Sequence, residues 1–192
     1  MSKNFQITSV ENGKKYWISR SVAVVGIIVG VKDGLIKSTL VSQRGPGCPD
    51  FIGSWACTCG YLDWDETAEE GLVREIYEEL GIRINKDRVF LKEIVTNPKE
   101  NSRQNIILRY VIPIPQEELE ELYHIALKGL SSSSSRGGEY EEVSDIKLIG
   151  ITDITSYSWA FNHDDVILST YNGWKKYTFT EVTRSIVNKL DI

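Results

Sequence analysis

Residues Gly60 to Ile82 constrain this chain more than any other stretch. They read Gly-Tyr-Leu-Asp-Trp-Asp-Glu-Thr-Ala-Glu-Glu-Gly-Leu-Val-Arg-Glu-Ile-Tyr-Glu-Glu-Leu-Gly-Ile. Thr67 followed by Glu70 is a Ser/Thr-x-x-Glu capping box, so a helix is expected to start there. Gly81 suits the position just past a helix end, where the left-handed conformation costs glycine little. Between these caps the spacing predicts a helix of about 13 residues. At about 100° per residue, Val73, Ile76 and Leu80 share one face, with Leu72 and Tyr77 at its margins. Glu75, Glu78 and Glu79 fall on the other face, within an arc of ~100°.

That acidic face works against the helix. Like charges at i, i+3 and i+4 repel by roughly 0.2–0.5 kcal/mol per pair. Glu78 and Glu79 also lie at the negative end of the helix dipole, at a further ~0.3–1 kcal/mol each. A divalent cation would reverse the sign of both effects, and clustered carboxylates suit hard Mg²⁺ or Mn²⁺. Glu-rich helix surfaces are common, however, and on the triplet alone a solvated acidic face is the commoner reading.

The full stretch carries more information. Gly60, five residues, Glu66, seven residues, then Arg74-Glu75-Ile76-Tyr77-Glu78-Glu79-Leu80-Gly81-Ile82 matches every fixed position of the pattern Gly-x5-Glu-x7-Arg-Glu-U-x-Glu-Glu-x-Gly-U, with U a bulky aliphatic residue. This resembles the Nudix box of the Nudix hydrolase superfamily, and looser similarity runs from about Ser21 to Tyr171. The resemblance implies an α/β fold: an α/β/α sandwich with a mixed β-sheet and the box helix against it.

It also implies roles. Glu78 and Glu79 would be metal ligands, with Glu75 a further ligand or the residue that activates water. Arg74 would orient the glutamates, and at i, i+4 it is also in reach of Glu78. Glu66 matches an upstream glutamate of partly structural role. The backbone carbonyl of Cys59, just before the box glycine, would join the metal site. A later acidic residue is expected as well; Glu142 is the first choice, then Glu139, with Glu141 also open. Two positions depart from common family patterns: Thr58-Cys59-Gly60 stands where many relatives have Pro-Gly-Gly, and Asp65 replaces a frequent Gly.

The chemistry that follows from the resemblance is Mg²⁺- or Mn²⁺-dependent pyrophosphate hydrolysis. The expected substrate is a nucleoside diphosphate linked to another moiety: ADP-ribose, a dinucleotide, a nucleotide sugar or a nucleoside triphosphate. A non-catalytic nucleotide sensor is a second reading. Isopentenyl diphosphate isomerase, a Nudix-related activity with a catalytic Cys, is a third, disfavoured because that family uses several His ligands and this chain has two His.

The chain has 192 residues, enough for one domain with its own core. The expected division is one domain over 1–192, with an N-terminal hairpin extension at 1–20 and a C-terminal helix within 172–192. Net charge is −5 and the pI about 5.2, which argues against nucleic-acid polymers and membrane surfaces as partners. The longest apolar run, Val22 to Val31, is too short to span a bilayer. The N-terminus lacks a signal-peptide pattern, and the three cysteines form no secreted-type framework, so a cytoplasmic location is expected. Cys57 and Cys59, on a probable strand, are expected to face opposite sides as packed thiols.

Along the chain, Asn12-Gly13 between Phe5–Val10 and Lys15–Arg20 predicts a hairpin, a candidate interface for a homodimer. Val22–Lys32 reads as a central buried strand, and Asp33-Gly34 as a tight turn into Leu35–Gln43. A Gly/Pro-rich loop follows from Arg44 to Ser54. Further strands are expected at Trp55–Cys59, Val89–Val95, Asn105–Ile114 and Ile146–Ile151. Helices are expected at Gln116–Leu127, from His163 to about Thr170 under an Asn162 cap and ended by Gly173, and at Thr180–Leu190. Ser131–Ser135 reads as a low-complexity, mobile loop. Arg44, at the start of the Gly/Pro loop, is a candidate for a substrate phosphate. Phe161 and His163, beside Trp159, are candidates for base contacts, although aromatic clusters of this kind more often serve packing.

Overall fold

The computed structural model describes residues 4–100, 103–131 and 141–177. Its centre is strand β3 (Val22–Lys32), whose interior residues are all buried. Such a continuous β-branched run suits a strand covered on both faces. Strands β4 (Leu35–Arg44), β5 (Trp55–Ala56), β6 (Thr58–Tyr61), β7 (Phe90–Val95), β8 (Ile106–Pro115) and β9 (Val143–Gly150) complete a seven-stranded mixed sheet. Strand β8 runs parallel to β3 along its whole length, from Val22↔Ile106 to Val31↔Pro115. The other edge of β3 is shared: Ile28–Lys32 pair with β4, whereas Ala23–Gly26 pair with β6. The strand that leads into the Gly60 stretch is thus inserted where β4 leaves β3.

Successive residues of β3 alternate between two cores. Val24 and Ile28 pack with helices α1 (Ala68–Leu80) and α2 (Gln116–Ser131) on one face. Val25, Ile27, Val29 and Val31 pack with α3 (His163–Tyr177) on the other. This is the expected three-layer α/β/α arrangement. A separate antiparallel ribbon, β1 (Phe5–Thr8) with β2 (Lys15–Ile18), forms the N-terminal hairpin around Gly13 at φ 68°. It leans on the rest of the protein through an edge-on Tyr16–Trp64 contact, with ring centroids 6.0 Å apart. Asp33 and Gly34, at φ 53° and 69°, form the expected tight turn. Among the described residues, no helix is long and apolar enough to cross a membrane.

Several expectations need correction. Leu72 lies at the centre of the α1 face with Ile76 and Leu80, all fully buried, while Val73 is only partly covered. The strand expected at Trp55–Cys59 is two strands, β5 and β6, because the chain switches from β4 to β3 as its partner. Cys57 and Cys59 pack on the same core layer, since residues two apart on extended chain share a side. Gly173 does not end α3, which continues to Tyr177; a mid-helix glycine costs only about 1 kcal/mol and tertiary packing overrides it. Asn162 lies at φ 56°, not in the extended conformation of an N-cap. The expected helix at Thr180–Leu190, Ser132–Ser135 and Glu139 lie outside the described residues.

Candidate active site

Helix α1 is built as its ends predict. Thr67 Oγ1 accepts from the Glu70 N–H at 3.3 Å, and the Glu70 carboxylate accepts from the Thr67 N–H at 3.0 Å. Gly81, at φ 67°, donates its N–H to the Tyr77 carbonyl. Leu72, Ile76 and Leu80 anchor the helix by burial worth about 1.5–3 kcal/mol each. That anchoring turns Arg74, Glu75, Glu78 and Glu79 toward β6 and its loop.

Arg74 organises this face. Its Nε and Nη2 donate to the two oxygens of Glu66 at 3.1 and 2.9 Å. Nη1 donates to Glu75 at 2.8 Å and to Glu78 at 3.0 Å, and Nη2 also reaches the Tyr61 carbonyl at 3.0 Å. The guanidinium pKa is raised, chiefly by the Glu66 hydrogen bonds, and the same bonds lower the Glu66 carboxyl. Arg74 therefore offsets much of the glutamate repulsion that the bare helix pattern implies. Asp65, where a glycine is frequent in the pattern, sits at φ 66°, a conformation Asp tolerates better than most side chains.

Glu79 is held differently. Its oxygens accept from the Cys59 N–H at 3.1 Å and from Ser42 Oγ at 3.0 Å. Burial pushes its carboxyl up to about 8, and the Glu75 charge adds to this. Glu75 is also raised, first by burial, with Glu78 and Glu142 contributing against Arg74. The Cys59 N–H bond to Glu79 puts the backbone just before Gly60 beside the glutamates.

The donor set suits a hard divalent cation. Glu75, Glu78, Glu79 and Glu142 offer carboxylate oxygens, and Cys59 offers a carbonyl. Gly60 leaves room for Glu75: a Cβ there would stand 2.0 Å from Glu75 Oε1. In the present conformation Arg74 holds Glu75 and Glu78, and no three acidic, imidazole or thiol groups converge as a ready metal cage among the described residues. Cation binding would require Glu75 and Glu78 to exchange Arg74 contacts for the ion.

Beside these carboxylates opens a cavity of about 450 Å³. It is lined by Cys59, Gly60, Glu79 and Glu142, and also by Arg44, Phe161 and His163. The structure thus brings the three substrate-contact candidates to the same space as the box. Glu142, exposed, precedes β9, and its backbone carbonyl accepts from the Gly45 N–H at 2.7 Å. Glu141 is exposed and is not part of the lining.

His163 is buried, not a surface residue. Its Nδ1 accepts from the Cys57 N–H at 3.0 Å, so the neutral ring carries its proton on Nε2. Burial, with the Arg109 and Arg44 charges, pushes its pKa down to about 3. Phe161 is not an open stacking platform, because the Arg44 guanidinium lies over its ring, 4.9 Å from the centroid. Trp159 donates its indole N–H to the Ile154 carbonyl at 2.7 Å and packs in the α3-side core.

Ser42, Asp50, Arg103 and Arg109 also line the cavity and escaped sequence reasoning. Arg109 alone left a signal, a charge inside the apolar run Ile106-Ile107-Leu108-Arg109-Tyr110-Val111. All three thiols are raised by burial, Cys57 to about 12 and Cys59 well above the ordinary value, so none is poised as a thiolate.

A family model described as NUDIX domain matches residues 19–169. A curated relative, a MutT-like protein of Streptomyces ambofaciens, is 38% identical over 69 residues, which span 36% of this chain and 39% of that protein. The fold resembles the NUDIX domain of Shewanella oneidensis NrtR, solved with ADP ribose (TM-score 0.58, 18% identity, 81% of this chain and 88% of that one). It also resembles a MutT/nudix family protein from Enterococcus faecalis (TM-score 0.63, 14% identity, 90% and 68%). A third likeness is to a bifunctional NMN adenylyltransferase/ADP ribose pyrophosphatase from Francisella tularensis (TM-score 0.57, 16% identity, 81% and 42%).

Proposed function

Because the chain belongs to the NUDIX domain family, we propose that it is a divalent-cation-dependent pyrophosphohydrolase. Its substrate is a nucleoside diphosphate linked to another moiety, in the class of ADP-ribose, dinucleotides, nucleotide sugars or nucleoside triphosphates. The observation that carries this reading is the whole acidic constellation, ordered by Arg74 and opening with Glu79 onto a cavity of nucleotide-compatible size.

Mg²⁺ or Mn²⁺ would be held by Glu75, Glu78, Glu79, Glu142 and the Cys59 carbonyl; when bound, it supplies charge for the phosphoryl oxygens and an acidified water. Arg74 keeps the glutamates aligned and returns to Glu66 as its fixed point. Glu79 would have to be ionised to hold the cation, so binding would compete with its proton. Glu75, pressed against Gly60, would serve as a further ligand or accept a proton from an attacking water. Arg44 binds substrate phosphoryl oxygens, and the His163 Nε2–H offers a neutral donor from the cavity wall. We read residues 1–192 as one such domain with its N-terminal hairpin.

The test is Mg²⁺-dependent hydrolysis across ADP-ribose, NADH, diadenosine polyphosphates, nucleotide sugars, normal and oxidised nucleoside triphosphates and isopentenyl diphosphate. Glu78→Gln is the control and products are identified by mass. A hit that disappears in the control supports the proposal. Silence across the panel with nucleotide binding retained would replace it with a sensor module. The raised thiols leave the isomerase reading without an activated cysteine.

A further inference from the structure

The cavity lining holds an ion-pair bridge, Arg44–Asp50–Arg103, away from the box glutamates in sequence. Arg44, the last residue of β4, donates from Nη2 to Asp50 Oδ1 at 3.0 Å. Its Nε donates to the backbone carbonyl of the same residue at 2.9 Å. Arg103, just before β8, donates from Nη2 to the other carboxylate oxygen, Oδ2. One carboxylate therefore joins two guanidinium groups that sequence places 59 positions apart (103 − 44). Both guanidiniums lie over the Phe161 ring, at 4.9 and 5.8 Å from its centroid, and Phe51 meets that ring edge-on at 4.8 Å. Arg44, Asp50, Arg103 and Phe161 all line the cavity that contains Glu79.

Two guanidiniums converging on two oxygens of one anion is also how arginines hold a phosphoryl group. The Asp50 side chain is about a third exposed, at 31%, and Arg103 is more open still, so water reaches and screens the pair they make, while Arg44 is mostly covered. A phosphoryl group offers more charge and a third oxygen to the same donors. Arg44 keeps its bond to the Asp50 backbone carbonyl whether or not the carboxylate is engaged. Arg44 thus keeps a fixed partner if the carboxylate leaves, while Arg103 retains its place beside the Phe161 ring.

We propose that Arg44 and Arg103, backed by Phe161, form a phosphoryl subsite that the Asp50 carboxylate occupies until substrate displaces it. Asp50 acts as an internal competitor. It tunes affinity downward and favours multiply charged phosphoryl groups over singly charged or neutral ligands, which compete poorly with a carboxylate. The inference rests on the cavity being the substrate site of the proposed hydrolase.

The experiment is calorimetric titration of the full chain with inorganic pyrophosphate in EDTA, on wild type, Asp50→Asn, Asp50→Ser and Arg103→Gln, with adenosine as the neutral probe. Freeing the subsite removes the tax of a self-occupied state, so both Asp50 variants are expected to bind pyrophosphate roughly 3–10-fold more tightly. Arg103→Gln is expected to bind it more weakly than wild type, and adenosine is expected to show no gain in any variant. Unchanged or weaker pyrophosphate binding in both Asp50 variants overturns the proposal, because a carboxylate that merely positions Arg44 would give that result. The two readings fail separately. Tighter binding in the Asp50 variants without metal-dependent turnover in wild type would remove only the hydrolase reading. Turnover in wild type without the gain would remove only the role of Asp50.

Discussion

Glu75 Oε1 occupies the space that a side chain on Gly60 would need. An ideal Cβ at residue 60 would lie 2.0 Å from that oxygen, which also accepts from Arg74 Nη1 at 2.8 Å. Gly60→Ala is therefore expected to push the carboxylate out of line. Displacement of a reacting group by about 1 Å costs on the order of 100-fold in rate. The clash is with the end of a side chain, so stability should change by about 1 kcal/mol or less. Steady-state kcat/KM and Tm measured on one preparation check both halves; a large fall in Tm with kcat/KM retained would contradict this account.

Arg74→Lys tests the hub. Lysine keeps the charge but not the planar fork that serves Glu66, Glu75, Glu78 and the Tyr61 carbonyl together. The expected cost is about 1–3 kcal/mol in urea unfolding, from the part-buried Glu66 and Glu75 carboxylates left unmatched. The variant should also regain more stability from Mg²⁺ than wild type does, because its glutamates repel more freely. Equal metal-induced shifts in Tm would argue that Arg74 does not screen them.

Glu79 gives a pH signature. Its carboxyl rises from the ordinary 4.5 to about 8 in the folded protein, so across that window the fold retains a proton that the unfolded chain has lost. Stability of the metal-free protein should consequently fall as pH rises from about 5 to about 8.5. Glu79→Gln, whose amide can still accept from the Cys59 N–H and donate to Ser42, should flatten that part of the profile. It should also remove most metal-dependent turnover. Millimolar Mg²⁺ or Mn²⁺ should raise the wild-type Tm. Melting curves in EDTA against pH, with and without metal, provide the measurement.

His163 gives the opposite slope. With its pKa lowered from 6.5 to about 3, the unfolded chain takes up a proton in that window while the folded one does not, so its contribution to stability is lost as pH falls below about 6.5. His163→Ala should cost about 2–4 kcal/mol by orphaning the Cys57 N–H and opening a cavity. His163→Asn, which can accept that N–H, should recover part of the loss. If both variants unfold like wild type, the Cys57 bond does not support this end of α3.

Much of the box was legible because its determinants are local. The Thr67–Glu70 cap, the Gly81 stop and the Arg74–Glu78 pair each join residues at most four positions apart, within the reach of helical periodicity. The central strand and the Asp33-Gly34 turn were legible for the same reason. Periodicity gives an apolar face but not which neighbour presses hardest on it, so Leu72, marginal by angle, lies fully buried at its centre; Cys57 and Cys59, two apart on extended chain, share a side and not opposite ones.

By itself, the sequence determined a capped helix carrying an ordered row of carboxylates, and a β-rich frame able to bury one side of that helix. Only the tertiary structure decided what those carboxylates meet. Ser42 and the Cys59 N–H reach Glu79 across 37 and 20 positions, His163 reaches Cys57 across 106, and Arg103 reaches Asp50 across 53. The physical reason is strand register. A period of two states which face a residue takes but not which strand will lie beside it, and here β3 divides one edge between β4 and β6. The cavity forms beside that division, so its lining is a property of the assembled sheet.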